Sequence, residues 1–418
     1  MAECKFIKLQ TPAEPLLSLI TILTLTAVSW AVGPPTEKVL HQFTGSPDGS
    51  IPIFQPLIFD SAGNLYGTTV YGGLNNCGVV FELSPGQDGA WSETILYTFL
   101  DAPDGCNPWA GLTFDAAGNL YGTTQGGGDA SRYDGGGTVY RLTPNQSGVW
   151  DESVIYTFGS EIATDPESSG VAIDKNGNLY GTTTFGGTYG SGAVYELAPQ
   201  QDGTWTASNL YSFTGGLDGK SPYGGVTLDT SGNIYGTTYY GGGYGAGTVY
   251  KLTAQVGGTW MGSLLHTFTG EGDGGNPTGT VTLDAQGNVY GTVLHGRGFN
   301  ENGEVFRVTP NGEKWEFSVL HGFSGGNSNG GYPNGDLVFD SVGNLYGTTQ
   351  IGPGGGGTVF KLSPKNGSVK FNWFPLVYAD GYEPNAGVVL DSRGNLYGMT
   401  EYGGPNGGCC GTVFEVVP

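Results

Sequence analysis

A heptapeptide close to Gly-Asn-Leu-Tyr-Gly-Thr-Thr begins at residues 63, 118, 177, 232, 287, 343 and 394, so most of this chain is one unit written seven times. Successive starts lie 55, 59, 55, 55, 56 and 51 residues apart. That period holds a four-stranded sheet with its turns but is too short for an independent domain, so each unit must bury its apolar faces against its neighbours.

The second unit shows the pattern: Gly111–Asp115, Asn119–Thr124, Thr138–Leu142 and Val154–Phe158 are short runs rich in β-branched and aromatic residues, separated by Gly, Asn, Asp and Pro. We label them strands A to D. Between A and B every unit carries Asp-x-x-Gly-Asn, with Asp60, Asp115, Asp174, Asp229, Asp284, Asp340 and Asp391 as the aspartates. An Asp able to accept from nearby backbone amides, followed by a Gly tolerant of positive φ, specifies a tight hairpin. After each C strand comes a loop leading to Trp91, Trp150, Trp205, Trp260, Trp315 or Trp373, which are expected to cover the outer edges of the sheets.

Strand D decides the architecture. The seventh unit stops at Pro418, straight after its C strand, while Val39–Phe43 supplies an unclaimed D-like run before the first A strand. The expected fold is all-β: a seven-bladed β-propeller of four-stranded blades, with the N-terminal strand pairing into the last blade. Residues 1–31 read as a signal peptide and 32–418 as the propeller.

The unit, which runs on through Gly-Gly and a variable loop to Gly-Thr-Val-Phe-Glu-Leu-Ser-Pro, resembles the GloVer tandem repeat of bacterial extracellular proteins. The resemblance covers residues 38–418. It implies an exported repeat protein and supplies no catalytic residues to carry over. The A–B hairpin is also similar to that of NHL-type propellers, although the unit here is longer.

Export agrees with the N-terminus, where Lys5 and Lys8 precede an apolar run from Leu16 to Val32 with small residues at Ser29 and Ala31. Cleavage after Ala31 and retention as an anchor are both open to such a segment. The expected location is extracellular or periplasmic. A net charge of −22 excludes nucleic acid and anionic lipid as partners for most of the surface. Only 12% of residues are charged, and the 79 glycines occupy fixed places in each unit, so they read as turn and close-packing positions and not as disorder. We expect a monomer.

In a propeller the B–C loops and the D–A links emerge on one face. Cys77 and Cys106 both fall there in neighbouring blades, and an oxidising compartment makes them the expected disulfide. The adjacent Cys409 and Cys410 are compatible with a vicinal disulfide or with free thiols, and no metal site is expected.

The same face is where a site is sought, because loops on a rigid scaffold carry function. Its B–C loops place Tyr71, Phe185, Tyr240 and Tyr402 at one offset, with His295 at the equivalent place in unit five. The D–A links add Phe54, Trp109 and Tyr223. Flat aromatic faces suit sugar rings, and Asp48, Asp104, Asp218, Asp273 and Asp380 offer carboxylates to hydroxyls or a cation. The same pattern is also what loop packing and Asp-Gly turns produce. A glycan or a cell-surface protein is the expected partner. No cofactor is expected, and Asp-x-x-Gly-Asn lacks the spacing of a calcium loop.

Catalysis has one candidate. His41, His266 and His321 stand where other units have Tyr and read as packing residues. His295 and Arg297 lie in a loop that departs from its siblings, and His with Arg is a pairing that a polysaccharide lyase can use on a uronate. A structural cell-surface component without a small ligand is the third reading.

Overall fold

The Asp-x-x-Gly-Asn-x-Tyr run folds the same way in each unit. A computed structural model describes residues 35–418 apart from 130–135, 160–162, 165, 167–169, 297–301, 327, 366–367, 405–407 and 409. In it, Asp60 Oδ1 accepts hydrogen bonds from the backbone N–H of Ala62 (2.8 Å) and Asn64 (2.9 Å). Asp60 Oδ2 accepts from Asn64 Nδ2 (2.8 Å) and from the Tyr66 hydroxyl (3.1 Å). Gly63 takes the positive φ of 89° that closes the turn. One carboxylate thus fixes the hairpin and aims the tyrosine, which is why these four residue types recur together. The tyrosine–aspartate bond repeats at Tyr121, Tyr180, Tyr235, Tyr290, Tyr346 and Tyr397.

Blade one consists of A (Ile58–Phe59), B (Leu65–Thr69), C (Val79–Pro85) and D (Trp91–Thr98), antiparallel and hydrogen-bonded in that order. Seven such sheets form the propeller, and all regular structure among the described residues is β. Blade seven contains A (Val389–Leu390), B (Leu396–Thr400) and C (Thr412–Val417). Its outermost strand is Thr36–Gln42, paired antiparallel to Thr412–Val417 with Val39 opposite Phe414.

The glycine inside the B strand has a packing reason. A Cβ on Gly67 would lie 2.6 Å from Cζ of Phe81, and on Gly291 2.6 Å from Cζ of Phe306, because the C-strand ring lies flat across the B strand. The following threonines tie blades and loops together. Thr68 Oγ1 donates to the carbonyl of Ala110 in the next blade (2.9 Å), and Thr69 Oγ1 to that of Tyr71 (2.9 Å). Every position of the heptapeptide is therefore consumed by the scaffold.

Apolar side chains gather at the seams. Each cluster joins consecutive blades, for example Tyr66 and Val80 of blade one with Leu112, Leu120 and Tyr140 of blade two. Leu40 and Phe43 pack with Leu57, Phe81, Met399 and Val413 where blades seven and one meet. Phe43, Phe81, Phe99, Tyr140, Phe158, Tyr195 and Phe213 are fully buried, each contributing roughly 1.5–3 kcal/mol of burial energy.

Five tryptophans stand opposite the end of strand C, at or one residue after the start of strand D, and pack with the B-strand tyrosine of the preceding blade: Trp91 beside Tyr397 (6.0 Å between centroids), Trp150 beside Tyr66 (6.3 Å), Trp205 beside Tyr121 (6.3 Å), and Trp260 and Trp315 in the clusters of Tyr180 and Tyr235. Trp373 does not follow them, contrary to the expectation from its place after strand C. In blade six the residue opposite the C-strand proline is Val369, and Trp373 sits farther along, opposite Phe360 and exposed. The longer C–D ribbon of that blade, Gly355–Lys365 with Ser368–Val377, shifts the register.

Candidate functional site

The face of B–C loops and D–A links is built by a second, smaller ladder. Tyr71 pairs with Ser50, Phe185 with Thr164, Tyr240 with Lys220, His295 with Gly275 and Tyr402 with Tyr382, each joining a B–C loop to a D–A link. Blade two uses Gly126 with Cys106, and blade six Ile351 with Gly331. The aromatic offset seen in the sequence is thus a backbone ladder position. It leaves some rings in solvent: Tyr71 is 36%, Phe185 42% and Tyr240 48% exposed.

Six links then turn through a residue at positive φ followed by proline: Ile51 (61°), Asn107 (58°), Ser221 (55°), Asn276 (60°), Tyr332 (57°) and Glu383 (58°). Such a conformation is costly for a β-branched residue such as Ile51, and it is held by backbone bonds on both sides. The Asn107 N–H donates to the Cys77 carbonyl (2.8 Å), and the Gln125 N–H to the Asn107 carbonyl (3.0 Å). Cys77 and Cys106 are disulfide-bonded across this junction. Cys410 also takes part in a disulfide, and Cys409 lies outside the described residues.

The link aspartates are engaged by the scaffold. Asp104 Oδ2 accepts from the Leu100 N–H (2.9 Å) and the Tyr97 hydroxyl (3.0 Å), Asp218 Oδ2 from the Thr214 N–H (2.9 Å) and the Tyr211 hydroxyl (3.1 Å). Asp273 does the same with the Thr269 N–H (3.0 Å) and His266 (2.9 Å). These carboxylates close turns and anchor strand D.

The aromatic candidates fall into groups. Tyr240 lies 4.5 Å from Tyr239, which lies 5.1 Å from Tyr223. Tyr402 neighbours Tyr382 at 5.4 Å, and Tyr382 stacks on Tyr378 at 4.5 Å. Trp109 packs on Phe54 at 5.1 Å, with its indole Nε1 buried and lacking an acceptor among the described residues. His295 stands edge-on to Tyr332 at 6.4 Å, its imidazole held below its usual range by burial. Arg297 lies outside the described residues.

At the axis of the ring is a group that no repeated motif marks. The residue entering strand A is Gly111, Gly170, Gly225 and Gly387 in four blades but Pro56, Thr280 and Asp336 in the others. Gln55 Nε2 reaches from blade one to Thr280 Oγ1 of blade five (3.4 Å). The Thr280 N–H donates to Asp336 Oδ1 (2.6 Å), and the Gly225 N–H to Thr280 Oγ1 (3.2 Å). Burial lifts the Asp336 carboxyl to about 7, against the lowering effect of the Thr280 bonds. A cavity of about 240 Å³ runs past Gln55, Thr280 and Asp336, and a second of about 420 Å³ follows the A strands of blades four to seven. Among the described residues, Asp336 is the one carboxyl lining either cavity. The departures from glycine were legible in the sequence, but not their convergence on one axis.

A family model for the Gloeobacter/Verrucomicrobia repeat matches residues 26–184 and 165–414. Among curated proteins, none matches the sequence significantly. Solved structures share the fold at low identity. A 6-phosphogluconolactonase candidate from Bacteroides uniformis is 16% identical with a TM-score of 0.51, over 80% of this chain and 88% of that one. The polysaccharide lyase Uly1 is 11% identical at 0.50, over 91% and 93%. An ancestral GH74 enzyme is 11% identical at 0.56, over 91% of this chain and 51% of that one. At such identities the likeness speaks for the fold alone.

Proposed function

The chain belongs to the Gloeobacter/Verrucomicrobia repeat family, and we propose that it is an exported propeller that binds a glycan through its B–C/D–A face. The observation that carries this reading is the combination of exposed rings at Tyr71, Phe185 and Tyr240 with an axial amide, hydroxyl and carboxyl at Gln55, Thr280 and Asp336 on the same face. Rings of this kind take up the C–H faces of sugars. The axial groups supply an acceptor and donors for hydroxyls at the place where the ring of blades leaves a concavity.

Asp336, the one carboxyl among the described lining residues, serves in this reading as an acceptor for a sugar hydroxyl. The signal-like N-terminus and the Cys77–Cys106 disulfide suit an oxidising location outside the cytoplasm. The test is a glycan array probed with purified protein, with and without chelator, followed by Tyr240→Ala and Phe185→Ala. Saturable binding lost in these variants, with an unchanged melting temperature, is the expected result. A blank array, or binding indifferent to both substitutions, refutes the reading and points to a protein partner or a purely structural component.

A further inference from the structure

Strand D carries a histidine in three blades, and one of the three is placed unlike the others. His266 stacks on Phe317 of the next blade at 3.9 Å, and His321 on Phe371 at 3.6 Å. Each also closes on one polar partner in its own link, Asp273 at 2.9 Å and Asn329 at 3.1 Å. His41, opposite Val413 in the closing strand of blade seven, has no such phenylalanine. Blade one places Glu93 at the D-strand register that holds Phe317 in blade five and Phe371 in blade six.

The link carboxylate of this seam, Asp48, stands off as well. His41 Nε2 lies 3.6 Å from Asp48 Oδ2 and 3.5 Å from Glu93 Oε1, and the three atoms fall within 4.8 Å of one another. An imidazolium would close on one carboxylate to about 2.7–2.9 Å, as His266 does on Asp273. His41 Nε2 and Glu93 Oε1 are both buried and have no hydrogen-bond partner among the described residues. Asp48 is gripped from its outer side: Oδ2 accepts from the Thr44 N–H (2.8 Å) and hydroxyl (3.0 Å), and Oδ1 from the Gly49 N–H (2.6 Å). Protonating His41 would offset only one of the two carboxylates.

We propose that this seam binds a divalent transition-metal cation of the zinc type, ligated by His41 Nε2, Asp48 Oδ2 and Glu93 Oε1. Tetrahedral ligands about 2.0–2.1 Å from zinc stand roughly 3.3–3.4 Å apart, whereas adjacent octahedral ligands of magnesium at that distance stand roughly 2.9–3.0 Å apart. The spacings of 3.5 and 3.6 Å match the first geometry. One imidazole with two carboxylates is a donor set that zinc accepts and that magnesium and calcium, which take oxygen alone, do not. The Thr44 and Gly49 donors then form an outer shell that orients Asp48. The cation neutralises both carboxylates and gives the two orphaned atoms a partner. It ties the closing strand and its link to strand D of blade one, beside the packing of Leu40 and Phe43. None of the rings assigned to glycan binding takes part, so the site stands or falls separately.

The experiment starts from purified, chelator-treated protein, in which Glu93 is a metal-free seam carboxyl like Glu152. Titration with Zn²⁺ should reveal a saturable site at one cation per chain that excess Mg²⁺ does not displace, and Co²⁺ should give the intense visible absorption of a four-coordinate centre. His41→Tyr installs the residue that blades one to three carry as Tyr97, Tyr156 and Tyr211, and Glu93→Ala the one that blade three carries as Ala207, so both variants keep side chains the fold already uses. Each should weaken zinc binding roughly a hundredfold or more, beyond the roughly 10–100-fold lost with an outer-shell partner. His266→Tyr, at a seam where the imidazole already has its carboxylate, should leave the affinity unchanged. Absence of a saturable zinc site, displacement by magnesium, full affinity in His41→Tyr and Glu93→Ala, or an equal loss in His266→Tyr overturns the proposal.

Discussion

Removing the charge from three seam glutamates should make the protein more stable at pH 8 and flatten its pH profile. Glu37, Glu93 and Glu152 occupy the same D-strand register, opposite Val416, Leu83 and Leu142, at three successive seams. Each faces the link aspartate of the preceding blade. Glu93 meets Asp48 and His41, whose Nε2 lies 3.5 Å from Glu93 Oε1. Glu152 meets Asp104, which bonds Tyr97, and Glu37 meets Asp380 while accepting from the Val377 N–H (2.9 Å). Burial chiefly, with repulsion from the aspartates, lifts all three carboxyls from 4.5 to about 7. His41 and the Val377 bond oppose this at Glu93 and Glu37.

A folded-state pKa above the unfolded one means that the native protein holds these protons more tightly. The stability they confer is complete below about pH 4.5 and is lost as pH rises through about 7. Fully realised, each shift would be worth ~3 kcal/mol. All three groups are partly open to solvent, and screening reduces this to ~1 kcal/mol each, or ~3 kcal/mol together. The turn aspartates set the acid limit: hydrogen bonds from Asn64, Tyr66 and Ala62 hold Asp60 below its usual range despite opposing burial, so its contribution is lost as pH falls through that lowered value. Calorimetric unfolding of the wild type should therefore show a decline from pH 5 to pH 8, and the Glu37→Gln/Glu93→Gln/Glu152→Gln variant should lose most of it. An unchanged slope in the triple variant would refute the assignment.

Three further outcomes are expected. Gly291→Ala places a methyl against the Phe306 ring and should cost ~1–3 kcal/mol, read as a lowered melting temperature, whereas Gly287→Ala, with open space around it but a φ of 78°, should cost less. Cys77→Ser/Cys106→Ser opens a link spanning 29 residues and should cost ~3.5 kcal/mol by chain entropy, with urea unfolding as the measure. Deleting residues 35–43 removes the strand opposite Thr412–Val417 and uncovers its edge, so size-exclusion chromatography should show association or loss of the folded monomer.

Much of this molecule is legible as text because its interactions are local and repeated. Asp60, Gly63, Asn64 and Tyr66 lie within seven residues, so their spacing alone implies the hairpin, and seven copies imply the ring. The Cys77–Cys106 bond is accessible for the same reason: adjacent blades put a B–C loop and the next D–A link on one face. The aromatic offset was equally visible, but not its cause. Tyr71, Phe185, Tyr240 and Tyr402 mark a ladder position first, and only the exposure of the Tyr71, Phe185 and Tyr240 rings makes those three candidates for binding.

What escaped the sequence involves contacts made once between residues far apart in the chain. Gln55 meets Thr280 across 225 residues, and Asp336 becomes an axial carboxyl only because seven strand entrances converge. Glu93 acquires His41 and Asp48 from the other side of a seam. Trp373 looked like its five predecessors by order, yet the strand register turned it to solvent and left the cover over Tyr290 to Val369 and Phe371. The repeating unit determines the blade, since hydrogen bonds and side-chain alternation within about 55 residues suffice to define it. The closed arrangement of blades decides the axis and the seams, since those sites are made by side chains that no single unit contains.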